Sequence, residues 1–451
     1  MKTKIKKSLK DKDFSELVKG GGISFFLRFG GLAVGYLLTL VIANLFGAKG
    51  LGDYVLAITV LRLFTLLAKL GLDTTSIRFI ASFASQEKWT SIFHFRKQVV
   101  TILSFTSVVA SLMMYFLSEP IADLINVNDR YIQLNAFFVM PMAFFMLHYQ
   151  SLRGLKRIAE FSFFYRISQA LFSVILIVIV YQFTTDDEVP IYAYLVSVSI
   201  VSFLSFLSFR YWVKNRSDGK QSAEKEVRSY SNILKISIPL MFAQSVQFIM
   251  AWTDKLMLGN MTTSEDVGIY HTAFKLSMFA AVALMSINSI ASPKFAEMFG
   301  KNDMEGLKKV VHQSTKMIFW TSVPLVVIFF IFPEFLLGLF GEEFKIGVTA
   351  FIFLSCGRLI SSFSGSVGNI LQMTGNQNIY AKILFIGAIL NITLNLILIP
   401  ETSPLASLNI VGINGAAFAS MSSLIIWNLS MVFVVKKKFG FYTFYIPFIK
   451  R

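Results

Sequence analysis

Apolar stretches of about 20 residues, the length a helix needs to cross a bilayer core, recur along this chain with short polar breaks between them. They fall near 22–45, 53–72, 97–117, 131–152, 161–183, 190–212, 233–258, 267–292, 315–333, 346–373, 379–400 and 412–435. The pattern predicts an all-α polytopic membrane protein with about twelve transmembrane helices. The longest polar segment, Arg210 to Lys235, separates the sixth span from the seventh. It divides the chain into two six-helix lobes, 22–212 and 233–435, joined by a linker at 213–232 and flanked by basic segments at 1–21 and 436–451. Six is even, so both lobes start on the same side, and an internal repeat would be related by an axis along the membrane normal. A faint repeat is present. LFGAKGLGDYVLAITVLRLF links the first two spans and LMLGNMTTSEDVGIYHTAFKLS links the seventh and eighth, each with a Gly-Asp-Tyr or Gly-Ile-Tyr element opening the next helix.

Composition agrees with the pattern: 55% of residues are hydrophobic, 47 are Phe, and 15% are charged, against about 25% in soluble domains. The net charge of +16 is spread over alternate short loops and both termini, whereas the intervening loops hold only Lys49, Arg130, Lys255 and Lys345. The positive-inside rule then places both termini in the cytoplasm. Cations scattered in this way explain the charge without nucleic acid. The start, MKTKIKKSLKDKDFSELVKG, has basic residues but no short apolar core with a small-residue cleavage site, so the first apolar segment is expected to stay. One cysteine, Cys356, excludes an internal disulfide, the four histidines lack metal-ligand spacing, and no Walker loop is present to use ATP directly.

Six basic residues lie inside apolar stretches: Arg28, Arg62, Lys69, Arg166, Lys275 and Arg358. One acid, Asp254, is comparably deep. Each such charge costs roughly 2.5 to 3.5 kcal/mol at a helix centre on insertion scales, so the set predicts a wet cavity or partners, and a cavity lined by cations receives an anion. Arg28 sits about seven residues into the first span, roughly 10 Å from its cytoplasmic end, and is followed by Gly30, Gly31 and Gly35. Arg62, Lys69 and Asp73 are spaced by seven and four and share one helix face. Two of the six have a simpler explanation. Arg166 is near a helix end, from which it can snorkel, and Lys69 can pair with Asp73 at i,i+4.

The runs DKLMLGNMTTSEDVGIYHTAFKL, ILQMTGNQNIYAKILFIGAILNITLNLILIP and VGINGAAFASMSS, with the early LFGAKGLGDY and LAKLGLDTTSIRFIA, resemble the Wzx-type polysaccharide flippases of the multidrug, oligosaccharidyl-lipid and polysaccharide (MOP) exporter superfamily. The likeness covers nearly the whole chain. It implies a V-shaped pair of lobes in the bacterial cytoplasmic membrane that moves a lipid-linked oligosaccharide by alternating access, without catalysis. A glycan polymerase and a chain-length regulator are the implied partners, beside membrane lipids. In the resembling family the first two helices carry basic cavity residues, and a related lipid II flippase carries one on its eighth. The substrate-binding expectation is therefore Arg28, Arg62, Lys275, Arg358 and Lys69. Relatives that flip lipid II hold sodium between the seventh, eleventh and twelfth helices. The corresponding oxygen donors here are Asp254, Asn391, Asn395 and Ser420, the expected site of Na+ or H+ coupling. Asp254 is near the outer end of its helix beside Lys255 and is a single carboxylate, so a surface Asp254–Lys255 role is the competing reading. Two other functions fit less well. A membrane glycan polymerase or ligase needs a sizeable outer segment, and every outer loop is short. A cation-coupled drug exporter needs buried carboxylates, which the first lobe offers hardly at all in mid-helix.

The topology gives a direct test. A membrane-impermeant thiol reagent applied to intact cells should label a Thr185→Cys variant and spare Ser222→Cys. The reverse pattern rejects the orientation.

Overall fold

The computed structural model describes residues 12–217 and 229–445, and every regular element among them is helical. Much of the basic start, part of the 213–232 linker and the end of the basic tail lie outside the described residues. An apolar segment in hydrocarbon has no water for its N–H and C=O groups, so the backbone satisfies itself as helix. Among the described residues nine helices are long and apolar enough to cross a membrane, and up to eleven if each of two bent pairs is one span. These pairs are Asp129–Ala136 with Val139–Gly154, bent by 52°, and Tyr230–Val246 with Phe248–Met261, bent by 46°. Twelve were expected. Phe29–Lys69, counted once, is two helices that meet at a kink, and its 41 residues are about twice what one crossing needs, so it holds both of the first two expected spans. Gly47 breaks this helix, with φ of 69°, a backbone region that glycine enters without steric penalty. The hydropathy pattern also passed over Leu72–Ser85, a helix whose buried Leu72, Ser76, Phe79, Ile80 and Phe83 fall on one face at helical spacing.

The chain forms two compact units, and neither is a continuous stretch. The first comprises Met1–Phe46 with Leu56–Phe248, the second Gly47–Val55 with Ile249–Arg451. In the second, Val348–Ser364 and Gln377–Leu398 pack along Gly412–Phe439. A cluster that includes Phe295, Leu307, Val311, Ile370, Leu371 and Val435 fills one end of it.

Within the second unit, the short segment Gly47–Val55 meets the start of helix Ser264–Gly300 at backbone contact. A Cβ placed on Gly52 would collide with the carbonyl oxygen of Ser264, and one on Gly268 with that of Ala48; each would also lie close to the other glycine's nitrogen, at 3.2 and 3.1 Å respectively. Ala48 and Gly52 are four apart, as are Ser264 and Gly268, so two small-xxx-small pairs cross each other reciprocally. These are the glycines of the Gly-Asp-Tyr and Gly-Ile-Tyr elements, so the faint repeat in the sequence is a physical two-fold contact. Both helix starts are well capped. Glu343 Oε1 accepts the Ala48 N–H at 2.6 Å, and Thr263 forms a capping box with Asp266.

In the first unit, Gly71 (φ 75°) ends the Phe29–Lys69 helix, and a side chain there would strike the carbonyl oxygen of Ser237. Around this turn Lys69 Nζ pairs with Asp73 Oδ2 at 2.7 Å, with Lys69 8% and Asp73 2% exposed. Gln244 reaches in from helix Tyr230–Met261, its Nε2 donating to Thr74 Oγ1 at 2.8 Å and lying 3.4 Å from Asp73 Oδ1.

Two outcomes follow for stability. Gly52→Ala and Gly268→Ala each force a methyl into a carbonyl and should cost about 1–3 kcal/mol, read as a fall of several degrees in the Tm of detergent-purified protein; Gly35→Ala, where nothing lies within 4 Å, should leave it unchanged. Lys69→Met strands a buried carboxylate and should cost about 3–5 kcal/mol, most of which Lys69→Met/Asp73→Leu should restore. A double variant no more stable than the single would show that the pairing is not what fails.

Candidate functional site

Polar groups in the spans gather at two places, one in each unit. In the first unit, Arg62 is half-buried on the Phe29–Lys69 helix and its Nη2 donates to the Tyr194 hydroxyl at 3.4 Å. Fully buried Tyr194 comes from helix Val189–Ser217. Tyr149 lies within electrostatic reach of Arg62, Asp73 and Tyr194, so Arg62 and the Lys69–Asp73 pair line one polar seam, with Lys69 neutralised by its neighbour. Arg28 is helical in its backbone, and its side chain lies outside the described residues. Gly31 abuts the backbone of Arg166: a Cβ on this glycine would fall 2.9 Å from the Arg166 carbonyl oxygen. The small residues that follow Arg28 thus provide a close helix contact at Gly31, and Arg166 sits there in a π-helical turn, Phe164–Ser168.

The second unit holds a denser cluster. Asp254 is 8% exposed, and three donors from three other helices converge on it. Asn395 Nδ2 donates to Oδ1 at 2.7 Å, the Tyr270 hydroxyl to Oδ2 at 2.7 Å, and the Ser420 hydroxyl to Oδ2 at 2.5 Å. Asn395 Nδ2 also lies 3.3 Å from Asn391 Oδ1, and Asn391 Nδ2 lies 3.5 Å from Ser423 Oγ. All four residues named from sequence as a coupling-ion site therefore meet, across separations of up to 166 residues. The competing surface reading of Asp254 and Lys255 is corrected: Lys255 is 3% exposed, and both residues are interior. Lys255 Nζ donates to the Ala251 carbonyl at 3.1 Å.

The donor set fits a small hard cation. Asp254 supplies the charge, and Asn391, Asn395 and Ser420 supply neutral oxygens of the kind such ions accept. Among the described residues Asn395 Oδ1 is buried with no hydrogen-bond partner, an acceptor left over in the cluster. A single carboxylate suits a monovalent ion better than a divalent one, whose sites gather several. A cation bound there would neutralise Asp254 and take up the orphaned oxygen.

Tyr270 belongs to the Gly-Ile-Tyr element, yet sequence reasoning did not place it in the site. Fully buried, it bridges Asp254 and Ser420, with its hydroxyl 3.4 Å from Ser420 Oγ. A tyrosine two residues after a glycine that must touch another backbone was the available signal. Phe274, one turn on, stacks on Tyr270 at 6.2 Å between ring centroids. Its ring lies 4.5 Å from Lys255 Nζ and 5.5 Å from Arg358 Cζ. Lys275 is half-buried on the same helix. Arg358, half-buried on helix Val348–Ser364, makes no hydrogen bond or ion pair among the described residues and lies within electrostatic reach of Asp254.

Comparison with known proteins agrees with this architecture. A family model described as polysaccharide biosynthesis protein matches residues 17–299, and one described as MatE matches 239–397. The chain is 25% identical over 447 residues to the uncharacterized membrane protein MJ1068 of Methanocaldococcus jannaschii, covering 92% of this chain and 82% of that one. It is also 25% identical over 205 residues to the probable low-salt glycan biosynthesis flippase Agl15 of Haloferax volcanii, covering 45% of this chain and 41% of the relative. Among solved structures, an inward-facing multidrug resistance MATE transporter of the MOP superfamily superposes with a TM-score of 0.70 at 13% identity, over 90% of this chain and 98% of the other. The lipid II flippase MurJ in its inward closed conformation also gives 0.70, at 16% identity over 92% and 88%. The fold is that of the MOP-superfamily transporters, and with well over half of its length matched by the first family model, this multi-pass membrane protein belongs to the polysaccharide biosynthesis protein family.

Proposed function

We propose that this chain is a flippase that carries an isoprenoid-pyrophosphate-linked oligosaccharide, such as an O-antigen, capsule or exopolysaccharide repeat unit, from the cytoplasmic to the outer leaflet of a prokaryotic cytoplasmic membrane. It works by alternating access and performs no covalent chemistry; both termini are cytoplasmic. A glycan polymerase and a chain-length regulator act on the product.

The observation that carries this reading is Arg358, a guanidinium within an apolar helix that has no hydrogen bond or ion pair among the described residues. In a low-dielectric setting such a group calls for an anion, and a guanidinium's planar fork matches phosphate oxygens two at a time. Arg28, Arg62 and Lys275 supply further positive charge within apolar helices, and Lys69 contributes only where Asp73 releases it. Family membership and the name of the partial relative Agl15 favour a glycan cargo. A drug exporter for cationic compounds is disfavoured by the same cations. Asp254 with Asn391, Asn395 and Ser420 holds the coupling ion, Na+ or H+, whose chemical contribution is to neutralise the carboxylate.

Replacing Arg28, Arg62, Lys275 or Arg358 by Ala should reduce flipping of lipid-linked glycan in proteoliposomes at least tenfold, about the loss expected from one charge-assisted phosphate contact, with the protein still inserted. Lys at 28, 62 or 358 should give intermediate rates and Glu the lowest. Well-inserted Ala variants at all four positions with normal flipping would remove the anion-cavity reading.

A further inference from the structure

Helices Trp89–Phe116 and Val189–Ser217 of the first unit both pack on Val139–Gly154, and near the ends that the charge pattern assigns to the cytoplasm one side chain reaches from the first to the second. The Arg96 guanidinium lies against two rings of Val189–Ser217, its Cζ 4.5 Å from the centroid of Phe209 and 5.1 Å from that of Phe206. Phe206 in turn packs on buried His148 of Val139–Gly154, with 5.5 Å between ring centroids. Arg210, next to Phe209 in sequence, is exposed and within electrostatic reach of Arg96. Among the described residues neither guanidinium donates a hydrogen bond or forms an ion pair. Aromatic faces stabilise a cation but offer no oxygen to its five N–H donors. Half-buried Arg96 therefore keeps its donors for a ligand that brings oxygens and negative charge.

The surface around the two arginines identifies that ligand. On Val189–Ser217, Arg210 ends an exposed apolar stripe of Val196, Phe203 and Leu207, all within about 60° of it around the helix. On Trp89–Phe116, exposed Lys97 ends a stripe of exposed Phe105, Val108 and Leu112 in the same way. Apolar stripes of this length on membrane helices face acyl chains, and the cations at their ends lie at headgroup depth. We propose that Arg96 and Arg210 form a binding site for the phosphodiester of an anionic phospholipid of the cytoplasmic leaflet, whose chains lie along these stripes. A guanidinium fork takes phosphate oxygens two at a time. Two cations with no carboxylate paired to them repel the ammonium of a zwitterionic headgroup, and basic pockets between helices on this side of a membrane are where acidic lipids settle. Phe206 and Phe209 hold Arg96 in place for this contact. The site belongs to the lipid-facing side of the first unit and does not depend on which cargo the protein moves.

Native mass spectrometry of the full-length protein in detergent, with phosphatidylglycerol and phosphatidylcholine supplied in equal amounts, tests this without a transport assay. Wild type should retain one phosphatidylglycerol about tenfold more tightly than phosphatidylcholine, the scale of one charge-assisted phosphate contact. Arg96→Gln should abolish that preference, and Arg96→Lys, which keeps the charge without the fork, should fall between it and wild type. Arg210→Gln should reduce the preference severalfold, and because Arg210 is exposed this variant serves as the test if Arg96→Gln does not fold. Lys301→Gln, in the second unit, should leave it unchanged. Equal retention of the two lipids by wild type, or a preference that survives intact in Arg96→Gln and Arg210→Gln, would overturn the inference. Inorganic phosphate and farnesyl pyrophosphate separate the other sources of the same chemistry: at equal concentration neither should displace the bound phosphatidylglycerol. Displacement by either would assign the arginines to a free anion or to an isoprenoid cargo and would equally overturn the lipid site.

Discussion

The reciprocal crossing of Ala48–Gly52 with Ser264–Gly268 is the contact on which the second unit is built. Without water or a hydrophobic driving force between apolar helices, close association relies on surface that lets backbones touch, and small residues four apart provide it. Because the crossing fixes where helix Ser264–Gly300 begins, it also fixes Tyr270, two residues beyond Gly268, and Phe274 one turn later. Those two rings carry the polar cluster: one donates to Asp254, the other lies between Lys255 and Arg358. A glycine at a helix start thus sets the geometry of a charged site about one helical turn away.

The second constraint is the cost of charge in an apolar setting, and the chain meets it in two ways. Lys69 and Asp73 neutralise one another and are tied to helix Tyr230–Met261 by Gln244. Asp254 is surrounded by neutral donors on three helices, which spreads its charge without cancelling it. The first arrangement is stable and inert. The second leaves a net negative charge and an unpaired amide oxygen, the condition of a site that binds something. Arg358, stabilised at a distance and flanked by an aromatic ring, stands in the same condition with opposite sign.

The sequence by itself determined a great deal: the helical class, the apolar segments, and the inventory of charges within them. These are readable because hydropathy is local, each segment being judged by its own residues against the thickness of a bilayer. The four oxygen donors Asp254, Asn391, Asn395 and Ser420 were also legible, through a resemblance that supplied the register between distant helices. Tertiary structure decided the rest. It put Gly47–Val55 in one unit and the first part of helix Tyr230–Met261 in the other, buried Lys255, and gave Tyr270 its place at the carboxylate. None of this could be read along the chain, because whether a buried charge is paired or left open depends on which side chains arrive from helices more than a hundred residues away, and that is set by packing at close crossings.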